Sequence, residues 1–464
     1  MMPTMVRRFP TPTTSEATSW MWIGLAGAYL AILTLGMTRV SYDIWGGLVL
    51  GPVLAALTLP VMRRAVRRDD PSLVNLITLA FMLKLVGSVI RYYVTFEVYD
   101  TGDAADYHTS GSMLAKAFWD GTFGEAYQEL IPDLIGTGFI RLTTGLLYIV
   151  TGPTRFGGFI AYSVLSFWGL FFFYRALRVA FPDADYRRYA KLLFLLPSMI
   201  YWPSSIGKEA WMIAAIGLAT YGVALIMKHN PLGFPYAGFG MAGTAMVRPH
   251  VTALCVVSLL FAYVLRRRSW RESPLGPFPR WIGIGVMLGA GAVVMSQVAS
   301  FFDLQTVDTQ SVDTVLEDTE RRTGQGGSEF EATRPSSPSQ YPRAILAVLF
   351  RPFPWEATNV QSAIAAAEGA VLMAVCFRSW RRLIRVPGFL FRVPYLSYCV
   401  AYIAMFAFAF SSMGNFGIVS RQRTQLFPLF LVVLCVPPPR IDDGDDLVDD
   451  RHRLLLDRVP SRPY

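Results

Sequence analysis

The sequence predicts an all-α, polytopic membrane protein with about twelve transmembrane helices and two long outer loops. Three observations predict it. Of 464 residues, 53% are apolar and only 16% are charged, where a soluble domain carries about 25% charge. Runs such as 20–39, 44–62 and 281–300 hold almost no charge, and about 20 apolar residues suffice to span a hydrocarbon core. The basic residues crowd into short loops between those runs, which is how membrane proteins fix their orientation. Mean hydropathy is +0.39. A disordered, collagen-like or disulfide-scaffold chain is excluded by this composition.

Taken in order, residues 1–19 read as a cytoplasmic N-terminus and 20–437 as the transmembrane domain. The first apolar run follows Arg7 and Arg8 but is too long for a signal peptide, and a second run follows at once. Spans are expected at approximately 20–39, 44–62, 72–95, 157–177, 189–205, 209–227, 232–247, 251–265, 281–300, 360–377, 393–411 and 425–437. The pairs 189–205/209–227 and 232–247/251–265 form tight hairpins. With the N-terminus inside, the cytoplasmic loops hold Arg63, Arg64, Arg67 and Arg68, then the basic groups at 175–191, 228, 266–271 and 378–385.

Two outer loops follow, at about 97–156 and 301–359; the first holds eight acidic and three basic residues, the second nine and five. The run 134–151 is apolar, but making it a span would turn the basic group at 175–191 outward, so it reads as interfacial or re-entrant. The run 344–350 is too short to span, and the Gly-, Ser- and Pro-rich stretch 321–342 reads as a mobile loop. The tail 438–464 is Pro-rich, then acidic, then basic, and reads as a disordered cytoplasmic end. No internal repeat of the kind found in many transporters is visible.

The formal net charge of +9 lies in loops beside apolar runs, which argues against a nucleic-acid partner. Cys255, Cys376, Cys399 and Cys435 all fall in apolar runs and read as small buried hydrophobes, with no metal-binding spacing.

Six polar clusters fall on the outer side: 102–108, 203–209, 248–250, 321–335, 351–356 and 414–423. Six on one face point to an outward cavity that tolerates charge. In GDAADYH, Asp103 and Asp106 are three apart and share a helical face, with Asp100 three before. These carboxylates suit a general base or the ligands of a divalent metal ion; equally, Asp103 suits the N-cap of the helix that follows. His108 reads as a supporting group. Lys208, Arg248, His250, Arg351, Arg421 and Arg423 form the outer basic set. Arginine forks bind phosphate oxygens, so a lipid phosphate is the natural partner, with internal pairing to Glu209, Glu356 or the acidic first loop as the competing reading. Pro203 ends one helix and Gly207 frees the tip, which puts Lys208 at a helix start beside exposed N–H groups. Trp202, Trp211, Phe353 and Trp355 suit an interfacial belt or sugar stacking.

The segment GDAADYHTSGSMLAKAFWDG resembles the opening of the first outer loop in GT-C membrane glycosyltransferases. That class uses polyprenyl-phosphate sugars. The resemblance implies that Asp103 takes the catalytic acidic position, that Asp106 orients the acceptor or a metal, and that SSIGKE lies near the lipid-phosphate site. The match covers about twenty residues, and the loop follows the third span rather than the first. RPH, RPFPWE and RQR are also similar to the outer arginines of O-antigen polymerases and ligases.

The expected function is transfer of a sugar from a polyprenyl-phosphate donor to an envelope glycan, glycolipid or protein acceptor. It is placed at the outer face of a bacterial inner membrane, with both termini cytoplasmic. In this reading Lys208, Arg248, His250, Arg351, Arg421 and Arg423 hold the phosphate, while Asp103 and Asp106 serve catalysis. The alternatives are a polymerase or ligase acting on lipid-diphosphate repeat units, and a transporter or flippase of an anionic lipid or sugar. Lys84, inside the third span, is the residue that favours transport.

Overall fold

A computed structural model describes residues 14–99, 102–265, 278–302, 309–324, 329–335 and 337–438. The expectations for residues 1–13, Asp100, the basic run 266–271 and the tail from 439 lie outside those residues. The chain is all-helical: no strand occurs among the described residues, and a single isolated bridge joins Glu329 to Asn415.

The helices are α1 (Thr14–Met37), α2 (Tyr42–Asp69), α3 (Val74–Tyr93), α4 (Asp103–Trp119), α5 (Phe123–Leu130), α6 (Phe139–Thr151) and α7 (Arg155–Ala180). Next come α8 (Tyr186–Leu195), α9 (Pro197–Tyr201), α10 (Lys208–Met227), α11 (Gly233–Ala245), α12 (Pro249–Leu265), α13 (Phe278–Phe301) and α14 (Thr309–Thr323). The last are α15 (Tyr341–Phe350), α16 (Val360–Arg378), α17 (Trp380–Leu383), α18 (Val386–Leu390), α19 (Pro394–Phe410), α20 (Phe416–Gln422) and α21 (Phe427–Val433).

Six helical stretches are long and apolar enough to cross a membrane: Tyr42–Asp69, Pro71–Val98, Leu134–Thr151, Arg155–Ala180, Lys208–Met227 and Val360–Arg378. They mark a multi-pass membrane protein. Five coincide with expected spans. Other expected spans fall on shorter helices, such as α11, α12, α19 and the seven-residue α21, or on the broken pair α8–α9. The sixth stretch, Leu134–Thr151, is the run expected to be interfacial or re-entrant; by length and composition it qualifies as a span. Its first turn is broken at Ile135 and Gly136, where the backbone leaves helical geometry, so the regular part is the 13 residues of α6.

Helix α7 is the centre of the bundle and is buried along most of its length. Helices α2, α3 and α10 pack around it. Gly169 on α7 and Gly217 on α10 let the two backbones touch: a Cβ on Gly217 would sit 2.3 Å from the Gly169 carbonyl oxygen. Small residues at such a crossing are what membrane helices need for close approach. Ion pairs mark both ends of this layer. Asp43 at the start of α2 lies 3.6 Å from Arg155 at the start of α7, and Asp69 pairs with Arg175 at the other end.

Pro197 separates α8 from α9, because a proline cannot donate the helix hydrogen bond there. Two ionisable groups from different helices brace this break. Lys84 of α3 donates to the Met199 carbonyl at 2.6 Å, and Glu368 of α16 accepts from the Ser198 N–H at 2.7 Å. Lys84, the residue that favoured transport, therefore has a partner in the fold. Residues 202–207 then run without regular structure through the interior. Ser166 donates to the Pro203 carbonyl at 2.6 Å. Irregular backbone persists at membrane depth only where protein groups satisfy it in this way.

Candidate functional site

Four distant segments converge where α10 begins. Gly207 ends the irregular stretch and α10 opens with Lys208 and Glu209. The Glu209 carboxylate is buried, and its Oε1 meets two guanidiniums: Nη2 of Arg248 at 3.2 Å and Nε of Arg421 at 3.2 Å. Arg248 is also buried, in the turn between α11 and α12, and its Nη1 donates to the Gln422 side-chain oxygen. Arg421 sits on α20, with its Nη1 3.5 Å from Oδ2 of Asp103. The Glu209 carboxylate outweighs burial and holds the Arg421 guanidinium charged, with Asp103 adding to it. Lys208 donates to the Thr137 hydroxyl at 2.9 Å. Tyr107 of α4 is buried against the same corner. A Cβ on Gly207 would lie 3.7 Å from its ring and 3.6 Å from Glu209 Oε2. Burial, then the Asp103 and Glu209 carboxylates, push the Tyr107 hydroxyl up, so it stays protonated.

The centre thus carries three cations (Lys208, Arg248, Arg421) and two carboxylates (Glu209, Asp103), a surplus of one positive charge. Asp103 is its exposed member, with 65% of its side chain accessible. Helix α4 begins at Asp103 itself. Gly102 occupies the cap with φ +134°, a conformation that side-chain-bearing residues rarely adopt, and makes no side-chain cap bond. The N-cap reading of Asp103 is therefore corrected: its carboxylate faces Arg421 instead.

Asp106 does not join this centre. Arg141 of α6 holds it through two bonds, 2.9 and 3.0 Å long, and donates a third to the Leu130 carbonyl at 2.9 Å. The shared helical face of Asp103 and Asp106 is thus divided between two guanidiniums. Such a pair does not fit a divalent cation, and no group of three His, Cys, Asp or Glu that could hold a metal occurs among the described residues.

Three members of the expected basic set also lie apart. Arg351 is taken by Glu356 at 2.6 Å and donates to the Glu331 carbonyl and the Thr333 hydroxyl. Its guanidinium stacks 4.2 Å above the ring of Phe330. Arg423 is buried, donating to the carbonyls of Arg351 at 2.7 Å and Ala365 at 3.4 Å. His250 packs among the rings of Phe301, Phe302 and Phe410. Internal pairing and packing, rather than an open phosphate site, account for these three.

The stretch 329–335, within the run expected to be a mobile loop, is tied beside the centre. Phe330 donates its N–H to the Gly414 carbonyl at 2.9 Å and stacks on Phe416 with centroids 4.2 Å apart. The Gly414 N–H donates to the Thr323 hydroxyl at 3.1 Å. Glu209, Tyr107, Thr137 and Gln422 are members of the centre that sequence reasoning did not select. Glu209, Tyr107 and Gln422 lie in the polar clusters 203–209, 102–108 and 414–423, whereas Thr137, in an apolar run, left no signal.

Comparison with protein-family models, with curated proteins and with solved structures finds no match to this chain.

Proposed function

We propose that this chain is a membrane glycosyltransferase of the GT-C type that moves a sugar from a polyprenyl-phosphate donor to an envelope glycan, glycolipid or protein. In this reading it crosses a bacterial inner membrane twelve times, keeps both termini cytoplasmic, and works at the outer face. The single observation that carries the proposal is the exposed Asp103 carboxylate at the rim of a centre with surplus positive charge. A donor phosphodiester has one negative charge to match that surplus, and Arg421 and Lys208 lie where its oxygens would be met. Lys208 stands in the first turn of α10, where the helix dipole favours an anion.

The chemistry needs one base. Asp103 accepts the proton of an acceptor hydroxyl as its oxygen attacks the anomeric carbon. The bond from that carbon to the phosphate oxygen breaks, and the lipid phosphate leaves with the electron pair. Arg421, Arg248 and Lys208 stabilise the charge that develops on it. Glu209 keeps the two arginines aligned. No step requires a metal ion.

A second reading is favoured by one feature: the most buried contacts of the centre are those of Arg248, Glu209, Arg421 and Gln422, with Asp103 at the rim. That geometry suits a polymerase or ligase in which arginines handle a lipid diphosphate. The test is donor consumption by the reconstituted protein, followed by mass spectrometry, with undecaprenyl-phosphate-linked hexoses and with lipid-diphosphate-linked repeat units. Asp103→Asn is expected to lower turnover of the monophosphate donor by about 100-fold or more. Full turnover by Asp103→Asn would overturn the transferase assignment. Elongation of the diphosphate substrate alone would establish the second reading.

A further inference from the structure

The last two turns of α2 carry Arg63, Arg64, Arg67 and Arg68. They lie at the end of the bundle where α7 also finishes, opposite the centre where α10 begins. All four are exposed, and none makes an ion pair, hydrogen bond or ring contact among the described residues. Other arginines at this end have partners in the protein. Arg382 pairs with Asp185, Arg188 reaches the Ser379 hydroxyl, and Arg178 lies 3.9 Å over the Tyr186 ring. The two carboxylates that close α2, Asp69 and Asp70, are taken by Arg175 and Arg187. No carboxylate of this stretch is left for the four arginines. The dipole at the end of α2 offsets only about half an elementary charge.

Three of these arginines share a cleft. Arg63, Arg64 and Arg67 line a cavity of about 290 Å³ together with Leu59 and Pro60 of α2 and Val74 at the start of α3. Half of the lining residues are cationic and half are apolar. The turn that joins the two helices is fixed: Ser72 donates to Asp70 Oδ1 through its N–H at 3.0 Å and its hydroxyl at 2.7 Å. Like charges four apart on a helix repel, and Arg63 and Arg67 stand so. An anion held between them relieves that repulsion, and arginine forks match phosphate oxygens.

Depth decides which anion can arrive. The 28 residues of α2 cover about 42 Å at 1.5 Å per residue, the thickness of a bilayer with its headgroups. The arginine turns therefore lie at headgroup depth, and Leu59 and Pro60 lie one turn nearer the hydrocarbon. We propose that this cleft binds the phosphate headgroup of an anionic phospholipid from the surrounding leaflet. Arg63, Arg64 and Arg67 take the phosphate oxygens, while Leu59, Pro60 and Val74 meet the carbons that lead into the acyl chains. The volume is near the lower bound of about 300 Å³ for small-ligand sites, so it admits a headgroup while the chains stay in the bilayer. This site does not rest on the transferase reading.

The full chain, purified in dodecyl maltoside, is titrated with phosphatidylglycerol, phosphatidylcholine or glycerol 3-phosphate, and bound ligand is counted by native mass spectrometry. The wild type is expected to bind phosphatidylglycerol at least 10-fold more tightly than phosphatidylcholine. Arg63→Gln/Arg67→Gln is expected to weaken phosphatidylglycerol binding at least 10-fold. Both side chains are exposed and unpaired, so this variant is expected to melt with the wild type in lipid-free detergent, and Arg64 and Arg68 keep the charge that orients α2. Arg378→Gln/Arg381→Gln removes the same charge outside the cleft and is expected to bind within 2-fold of the wild type. Equal binding by all three proteins, or equal weakening in both variants, overturns the site, because diffuse charge then accounts for the attraction. Glycerol 3-phosphate binding as tightly as phosphatidylglycerol, and lost in Arg63→Gln/Arg67→Gln, overturns the lipid assignment in favour of a soluble phosphate.

Discussion

The two polar ends of the bundle use the same residue types to opposite effect. At the end where α2 and α7 finish, three carboxylates take one arginine each: Asp69 with Arg175, Asp70 with Arg187, Asp185 with Arg382. Arg188 reaches Ser379, and Arg382 and Arg385 reach the carbonyls of Val436 and Pro437. The result ties loops together, and Arg187 keeps 60% of its side chain exposed. At the end where α10 starts, one buried carboxylate serves two guanidiniums and Lys208 lies beside them. Matched pairs in water hold helix ends in place. A buried carboxylate shared by two guanidiniums, with Lys208 beside them, leaves room for a further anion.

The largest expected effect that separates the two ends is on stability. Glu209→Gln leaves Arg248 and Arg421 without their shared counter-charge in a buried site, a change of about 3–5 kcal/mol. A large fall in the melting temperature of the detergent-purified protein checks it. Asp70→Asn, facing a solvent-exposed arginine, is expected to shift the same melt far less. Equal shifts would erase the distinction between the ends.

A smaller effect sharpens the comparison within the site. Asp103→Asn is expected to leave the melting temperature close to that of the wild type, because the ion pair of a side chain so exposed contributes about 0–1 kcal/mol. Its effect belongs to turnover instead. A melt lowered as far as that of Glu209→Gln would make Asp103 a structural residue.

Acid separates the two ends by pH window. The Arg187 and Ser72 hydrogen bonds hold the Asp70 carboxyl well below the usual carboxylate range. Its stabilisation is present above the unfolded value, near pH 4, and is lost as the pH falls further and the folded carboxylate protonates. Burial lowers His108, which shares a 2.8 Å hydrogen bond with the Tyr148 hydroxyl. The unfolded chain therefore binds a proton there first, and stability falls as the pH drops below about 6.5. Burial lowers His250 likewise, so melts from pH 7.5 to about 2 are expected to show both steps, with His108→Gln shrinking the upper one and leaving the lower unchanged. Gly102→Ala is expected to lower stability by about 1 kcal/mol through backbone strain at φ +134°, read as a lower melting temperature.

Much of this plan was legible in the residues. Apolar runs marked the helices, and Pro203 and Gly207 marked the irregular tip before α10. Of the charge clusters scattered from 102 to 423, ion pairs join Asp103, Glu209, Arg248 and Arg421, while Arg351 and Arg423 bond to each other apart from that centre. What stayed hidden is which charge meets which. Arg351 is taken by Glu356 five residues on, and Asp106 by Arg141 across a helix pair; one-dimensional spacing does not encode those choices. Glu209 was weighed only as a partner for the arginines, because burial at a hairpin tip depends on helices far away in the chain. The break at Gly136 was equally invisible, since its apolar neighbours read as one run.

The central claim is that the buried centre where α10 begins, and not the one-to-one pairs at the opposite end, receives an anionic lipid headgroup. Binding of undecaprenyl phosphate to the purified full chain tests it most directly, comparing Arg248→Ala/Arg421→Ala with Arg187→Ala/Arg382→Ala. The account predicts saturable binding by the wild type and by the Arg187/Arg382 variant, with affinity at least 10-fold weaker in the Arg248/Arg421 variant. Equal binding by both variants, or none by the wild type, would contradict it.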